Sequence, residues 1–131
     1  MIAQMHPMRD PDVYVFCTTS PEALSAQIVT QSCGLFREAE GVSLILTCEA
    51  AQALGLPSAP PHFARITLTV HSALEGVGLT AAVAGALAEA GIPCNMVAGF
   101  HHDHVFVPCA EADRAMQILE ALQDSPTTGS R

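Results

Sequence analysis

The chain has 131 residues, room for one compact domain or two very small modules but not for a multidomain assembly. Half of the residues are hydrophobic and 14% are charged, which permits a sizeable core and argues against general disorder. Five arginines and no lysine face thirteen acidic residues, and the resulting formal charge of −8 repels phosphate backbones and anionic lipid, so neither nucleic acid nor membrane is an expected partner.

The stretch from Met1 to Arg9 lacks a basic segment followed by an apolar run of signal-peptide length, and no later stretch reaches about 18 unbroken apolar residues. The expectation is a soluble, cytoplasmic protein. Cys17, Cys33, Cys48, Cys94 and Cys109 are odd in number, scattered and without a CxxC pair, a pattern of neither a disulfide scaffold nor a zinc knuckle. They read as small buried thiols in a reducing compartment.

The β-branched and aromatic run Val13 to Cys17 predicts the first strand. Pro21 to Gln31 then predicts a short helix, with Ser20 as N-cap and Pro21 at its first position. Val42 to Thr47 predicts a second strand, followed by a helix from Glu49 to Leu54 that stops at Gly55. Three prolines within Pro57 to Pro61 can neither continue a helix nor donate to a ladder, which makes this segment a linker.

Beyond the linker, Arg65 to His71 alternates apolar and polar residues with the strand period of two, so Ile66, Leu68 and Val70 share a core face. Ser72 and Glu75 then match a capping box opening a helix from about Ala73 to Ala90. Gly91 suits its left-handed C-terminal position, and the helix is rich enough in small residues to approach a sheet or second helix closely. Strands at Cys94 to Ala98 and His104 to Val107 flank a turn through Gly99 to Asp103, and a last helix spans about Ala110 to Leu122. This βαββα order is a ferredoxin-like unit lacking one strand, which the N-terminal half is placed to supply. Leu44 to Leu54 and Val105 to Met116 echo one another as strand, cysteine, Glu/Ala-rich helix. The expected organisation is residues 1–61 as an N-terminal module, 62–123 as a C-terminal module and 124–131 as a disordered tail.

Two stretches could carry chemistry. On an extended chain His102 and His104 share one face, a spacing that can chelate zinc or copper, and His71 could be a third ligand. The alternative is a polar turn in which Asp103 holds backbone N–H groups. Nucleophilic catalysis has no support: Ser72, beside His71, serves as an N-cap, there is no G-x-S-x-G elbow, and the cysteines sit in apolar contexts. Gly76-Val77-Gly78-Leu79 is no dinucleotide fingerprint, because the third glycine position is Ala81. The helix start from His71 to Gly78 offers backbone N–H groups and a positive dipole end, which suit a small carboxylate.

The segments Val70 to Ala82 and Ala98 to Pro108 resemble those of small bacterial ACT-like proteins, and Tyr14 to Thr18 with Phe36 to Leu44 resembles the first half of that family. The match spans nearly the whole chain. It implies an α+β architecture of two ferredoxin-like βαββαβ (ACT-like) modules side by side, related to the regulatory domains of aspartate kinases and to an arginine-sensing regulator of eukaryotic growth signalling. In such relatives an amino acid binds between modules, against the loop opening the first helix and the strand that follows. Carried over by motif, the implied ligand-binding residues are Ser72, Glu75, Val77, Gly78, Leu79, Thr80, Asn95, Met96, Val97, Ala98, Gly99, Phe100 and Asp103. His101 stands where an aromatic commonly sits, a departure that bears on ligand identity.

The resemblance brings no catalytic domain. The expected function is therefore a non-enzymatic regulatory protein that binds an amino acid or related carboxylate, needs no cofactor and forms a homodimer. The alternatives are metal binding or sensing through His71, His102 and His104, and a purely structural module whose sheet edges pair with another chain.

Overall fold

In the computed structural model, which describes residues 5–69 and 76–124, the strands are β1 (Met8–Arg9), β2 (Tyr14–Thr19), β3 (Gly34–Glu38), β4 (Gly41–Thr47), β5 (Phe63–Leu68), β6 (Asn95–Ala98) and β7 (Asp103–Pro108). The helices are α1 (Ala26–Gln31), α2 (Cys48–Ala53), α3 (Gly76–Glu89) and α4 (Ala112–Asp124), the last entered through a 3₁₀ turn at Cys109–Glu111. Two compact units result: Asp12–Phe63, and Met1–Pro11 together with Ala64–Arg131.

In the first unit the strand order is β3-β4-β2. Strands β2 and β4 pair antiparallel from Tyr14↔Thr47 to Thr19↔Val42, and β3 forms a hairpin with β4 from Gly34↔Ile45 to Glu38↔Gly41. Val42, Leu44 and Leu46 alternate inward along β4 and form a core with Val15, Ile28 and Ala51. At the far end of the unit Phe63 pairs with Tyr14, and its ring meets Phe16 edge-on at 5.1 Å between centroids. The expected linker at Pro57 to Pro61 carries no helix or strand.

Two features of this unit depart from the sequence expectation. Strand β3 was not foreseen: it has one apolar pair, Leu35-Phe36, ahead of Arg37-Glu38, and its pairing with β4 makes it a strand rather than any periodicity of its own. Phe36 is accordingly exposed. Ser20 is not the helix N-cap either. Its hydroxyl accepts from the Ala23 N–H at 3.2 Å and closes a turn, whereas Ser25 accepts from Ile28 N–H at 3.1 Å and starts α1. A start at Ser25 turns Ile28 into the core, while Pro21, Glu22 and Ala23 remain exposed.

The second unit repeats the order βαββα with β5, α3, β6, β7 and α4, and its strands follow the same spatial sequence, β5-β7-β6. The N-terminal segment adds β1 beside β5, with Met8↔Thr67 and Arg9↔Ile66 paired. Its attachment is extended by Thr69 N–H donating to Met5 O at 2.9 Å and by an Arg65–Asp10 ion pair of 2.7 Å. The expected fourth edge is thus supplied from the N-terminal segment, and the echoing passages are the equivalent β4-α2 and β7-α4.

Ile66 and Leu68 of β5 and Val105 and Val107 of β7 pack against Leu79, Val83 and Leu87 of α3 and Ala115 and Leu119 of α4. The one-turn spacing of the α3 residues puts them on one stripe. Each such buried aliphatic side chain contributes about 1.5–3 kcal/mol, against about 0–1 kcal/mol for an exposed ion pair such as Arg9–Asp113, so the apolar layer holds the unit together. The small residues of α3 do not all serve close packing: a Cβ at Gly78 or Gly85 would meet no atom within 4 Å. Gly91 has φ 76° after α3, as expected of a left-handed helix stop. The expected positions of Val70, the Ser72–Glu75 capping box and the tail beyond Asp124 lie outside the described residues.

Candidate functional site

The end of β5 leads toward α3, and a hydrogen bond of 3.1 Å between Thr67 Oγ1 and His104 Nδ1 fixes it beside the start of β7. The β6–β7 hairpin therefore turns at the end of the sheet from which α3 sets out. Within it Gly99 N–H donates to His102 O at 2.8 Å, and Ala98 pairs with Asp103. A Cβ on Gly99 would lie 2.9 Å from His102 O, so the turn is closed by a backbone approach that only glycine allows without a shift.

The candidate ligand residues divide according to this geometry. Ala98, Gly99, Phe100 and Asp103 cluster at the hairpin, with Phe100 97% exposed and set edge-on to His101. Gly78 and Thr80 are exposed on α3, whereas the Leu79 side chain is buried in the core and could offer only backbone. Asn95 pairs with Phe106 at the opposite end of β6 from Ala98, three residues or about 10 Å along the strand. Met96 packs against the core, and Val97 pairs with His104 on the sheet face away from α3 and α4. Ser72 and Glu75 lie outside the described residues, as does the Val77 side chain.

Beside His104 the same sheet face carries two groups that the sequence did not single out, Arg65 and Thr67. Thr67, Arg65 and His104 form a half-buried polar row, with Asp10 on the Arg65 guanidinium at 2.7 Å. Burial lowers the His104 pKa below its ordinary 6.5, and the charges of Arg65 and His102 lower it further, against the opposing pull of Asp103 and Asp10. A neutral imidazole can accept the Thr67 hydroxyl proton at Nδ1. The period-two alternation of β5 placed Arg65 and Thr67 on one face, but the partner of Thr67 is 37 residues away and that of Arg65 is 55 residues away, so neither was legible.

His102 lies in the turn ahead of β7 rather than on the strand, so the extended His102/His104 face expected of a metal site is interrupted. Among the described residues no group of three or more His, Cys, Asp and Glu is arranged to hold a metal ion, and His71 lies outside them. The cysteines correct a second expectation: Cys33, just ahead of the edge strand β3, is exposed, and the other four are half-buried rather than buried. Burial pushes the Cys17 and Cys94 thiols up, away from thiolate character. No helix among the described residues is long and apolar enough to cross a membrane.

Comparison with known proteins fits this architecture. Two ACT domain models match in tandem, over residues 1–62 and residues 63–121. A Vibrio cholerae protein of unknown function, described as a possible transport protein, is 44% identical, with 90% of this chain and 88% of that chain covered and a TM-score of 0.78. Aspartokinase alpha and beta subunits share the fold at 12% identity, 95% and 98% coverage and a TM-score of 0.69. The ligand-free regulatory subunit of aspartate kinase from Thermus thermophilus does so at 11% identity, 88% and 95% coverage and a TM-score of 0.58. No curated protein matches the sequence significantly. Duplicated βαββα order, equivalent strand sequences and two successive family matches lead to one conclusion: the chain is a tandem member of the ACT domain family, with the α+β ferredoxin-like fold of that family.

Proposed function

We propose that this chain is a non-enzymatic, cytoplasmic regulatory protein that binds an amino acid or a related small carboxylate at the start of α3 and the neighbouring β6–β7 hairpin. The observation that carries the reading is the Thr67–His104 bond, which holds the end of β5, the strand preceding α3, beside the hairpin bearing Ala98, Gly99 and Asp103. Backbone N–H groups near Gly78 and Leu79 would receive the carboxylate, and Asp103 the amino group. No arginine falls within either motif segment, so backbone donors must do this work. Tandem ACT matches and regulatory aspartate kinase neighbours support a regulatory role, and ACT relatives support a homodimer.

Isothermal titration with each of the twenty amino acids tests the proposal. One or more should give saturable heat, with binding weakened by Asp103→Asn and by Gly78→Pro while circular dichroism stays unchanged. Absence of heat for all twenty would remove the amino-acid reading.

A further inference from the structure

We propose that a cleft between α1 and α2 binds a small primary ammonium group, held by Glu49, Gln27 and Gln31. The cleft has a volume of about 240 Å³ and its polar lining is Gln27, Gln31, Thr47 and Glu49. Apart from Glu49, α2 presents only the methyl groups of Ala50 and Ala53 to it, followed by the side chain of the capping residue Leu54, which leaves space unfilled. On α1, Gln27 and Gln31 stand one turn apart and so share a side, while Ile28 is turned into the core. The volume of the cleft falls below the roughly 300–1,000 Å³ of sites for drug-sized molecules, which limits the occupant to a small molecule of about ten heavy atoms or fewer.

The lining selects the sign of the ligand. No arginine or histidine borders the cleft, its one charged side chain is Glu49, and the chain carries a formal charge of −8. An anion finds no countercharge there. A primary ammonium has three N–H donors, and the Glu49 carboxylate and the two carboxamide oxygens supply three acceptors. Thr47 Oγ1 already accepts from Ala50 N–H at 3.1 Å and keeps one further lone pair, so it is a secondary acceptor beside the other three. Ala53 and Leu54 then cover a short alkyl chain. This site draws only on residues 27–54 and takes a cation, so it stands apart from the carboxylate reading above.

The test is a titration of the full-length, ¹⁵N-labelled protein followed by amide chemical shifts. The probes are propylammonium chloride, sodium propionate of nearly the same shape, and sodium chloride at equal ionic strength. Propylammonium should give saturable shifts at residues 26–31 and 47–54, and propionate none there. Glu49→Gln, isosteric and on an exposed position, should weaken the response by about tenfold or more. Ala53→Leu, which fills the cleft, should abolish it, and a dispersed spectrum of each variant reports that it is folded. The site is refuted by absent or non-saturating shifts, by an equal response to propionate, by shifts confined to other residues, or by unchanged binding in folded Glu49→Gln.

Discussion

Thr67 on β5 and His104 on β7 are joined side chain to side chain across the sheet at 3.1 Å, on the face opposite the helices. The bond survives either protonation state of the ring, because Nδ1 can accept from the hydroxyl or donate to it. The lowered His104 pKa therefore comes first from burial and then from Arg65 and His102. In the unfolded chain the imidazole titrates near 6.5, and in the folded protein lower. Between those two values the unfolded state binds more protons, so stability rises with pH across the window. The contribution is complete above 6.5, is lost as pH falls from 6.5 through the folded value, and changes no further below it. Urea unfolding at about pH 7.5 and about pH 5.5 should show a larger loss for the wild type than for His104→Gln. Equal losses would remove His104 as the source.

Gly99 and Gly85 should respond to alanine with opposite signs. A methyl on Gly99 would press on His102 O at 2.9 Å, a backbone atom of the hairpin that cannot swing aside. Opening the turn should cost about 1–3 kcal/mol. Gly85 sits in the middle of α3 with open space where its Cβ would be, so alanine there should stabilise by about 0.5–1 kcal/mol through helix propensity. Denaturant midpoints of the two variants give the comparison directly. Destabilisation by Gly85→Ala would mean that α3 packs more tightly on that side than the structure indicates.

Much of this fold is legible because burial writes a period into the sequence. Val42, Leu44 and Leu46 on β4, and Ile66 and Leu68 on β5, alternate with residues on the other face, and each strand declares both its existence and its orientation. The candidate hairpin was legible for a different reason, the glycine and polar residues that its turn requires. Strand β3 was not, since one apolar pair beside two charges has no period, and its partner β4 defines it. The Thr67–His104 bond and the Arg65–Asp10 pair join residues far apart in sequence, and only the folded sheet reveals them. The α1–α2 cleft is harder still to foresee, because it depends on side-chain volume that Ala50 and Ala53 lack. Asn95 shows the converse: its motif is readable, but strand geometry sets it at the far end of β6 from Ala98.

The two serines near α1 provide a local test of the same point. Ser25 Oγ satisfies the Ile28 N–H at the helix start, and Ile28 is the buried residue through which α1 joins its core. Ser25→Ala should cost about 1 kcal/mol, within the usual range for a lost N-cap. Ser20 closes only an exposed turn, so Ser20→Ala should change stability by less than about 0.5 kcal/mol. Urea unfolding of both variants separates the assignments. A larger loss at Ser20 would move the helix start back to Pro21.

Thiol reactivity should single out Cys33. It is the exposed cysteine, immediately before β3, while Cys17, Cys48, Cys94 and Cys109 are half-buried. Reaction with an aromatic disulfide reagent requires both access and thiolate, and burial reduces both at Cys17 and Cys94 by pushing their thiols up. At about pH 8 the folded protein should release one fast equivalent, followed by slower phases, and the denatured chain all five at one rate. Raising the pH should speed Cys17 and Cys94 over a range in which an ordinary thiol has already levelled off, because their thiolate forms later. Cys33→Ser should abolish the fast phase and leave the slower ones unchanged. Survival of that phase in the variant would assign it to a half-buried cysteine reached by local opening rather than by the exposure of Cys33.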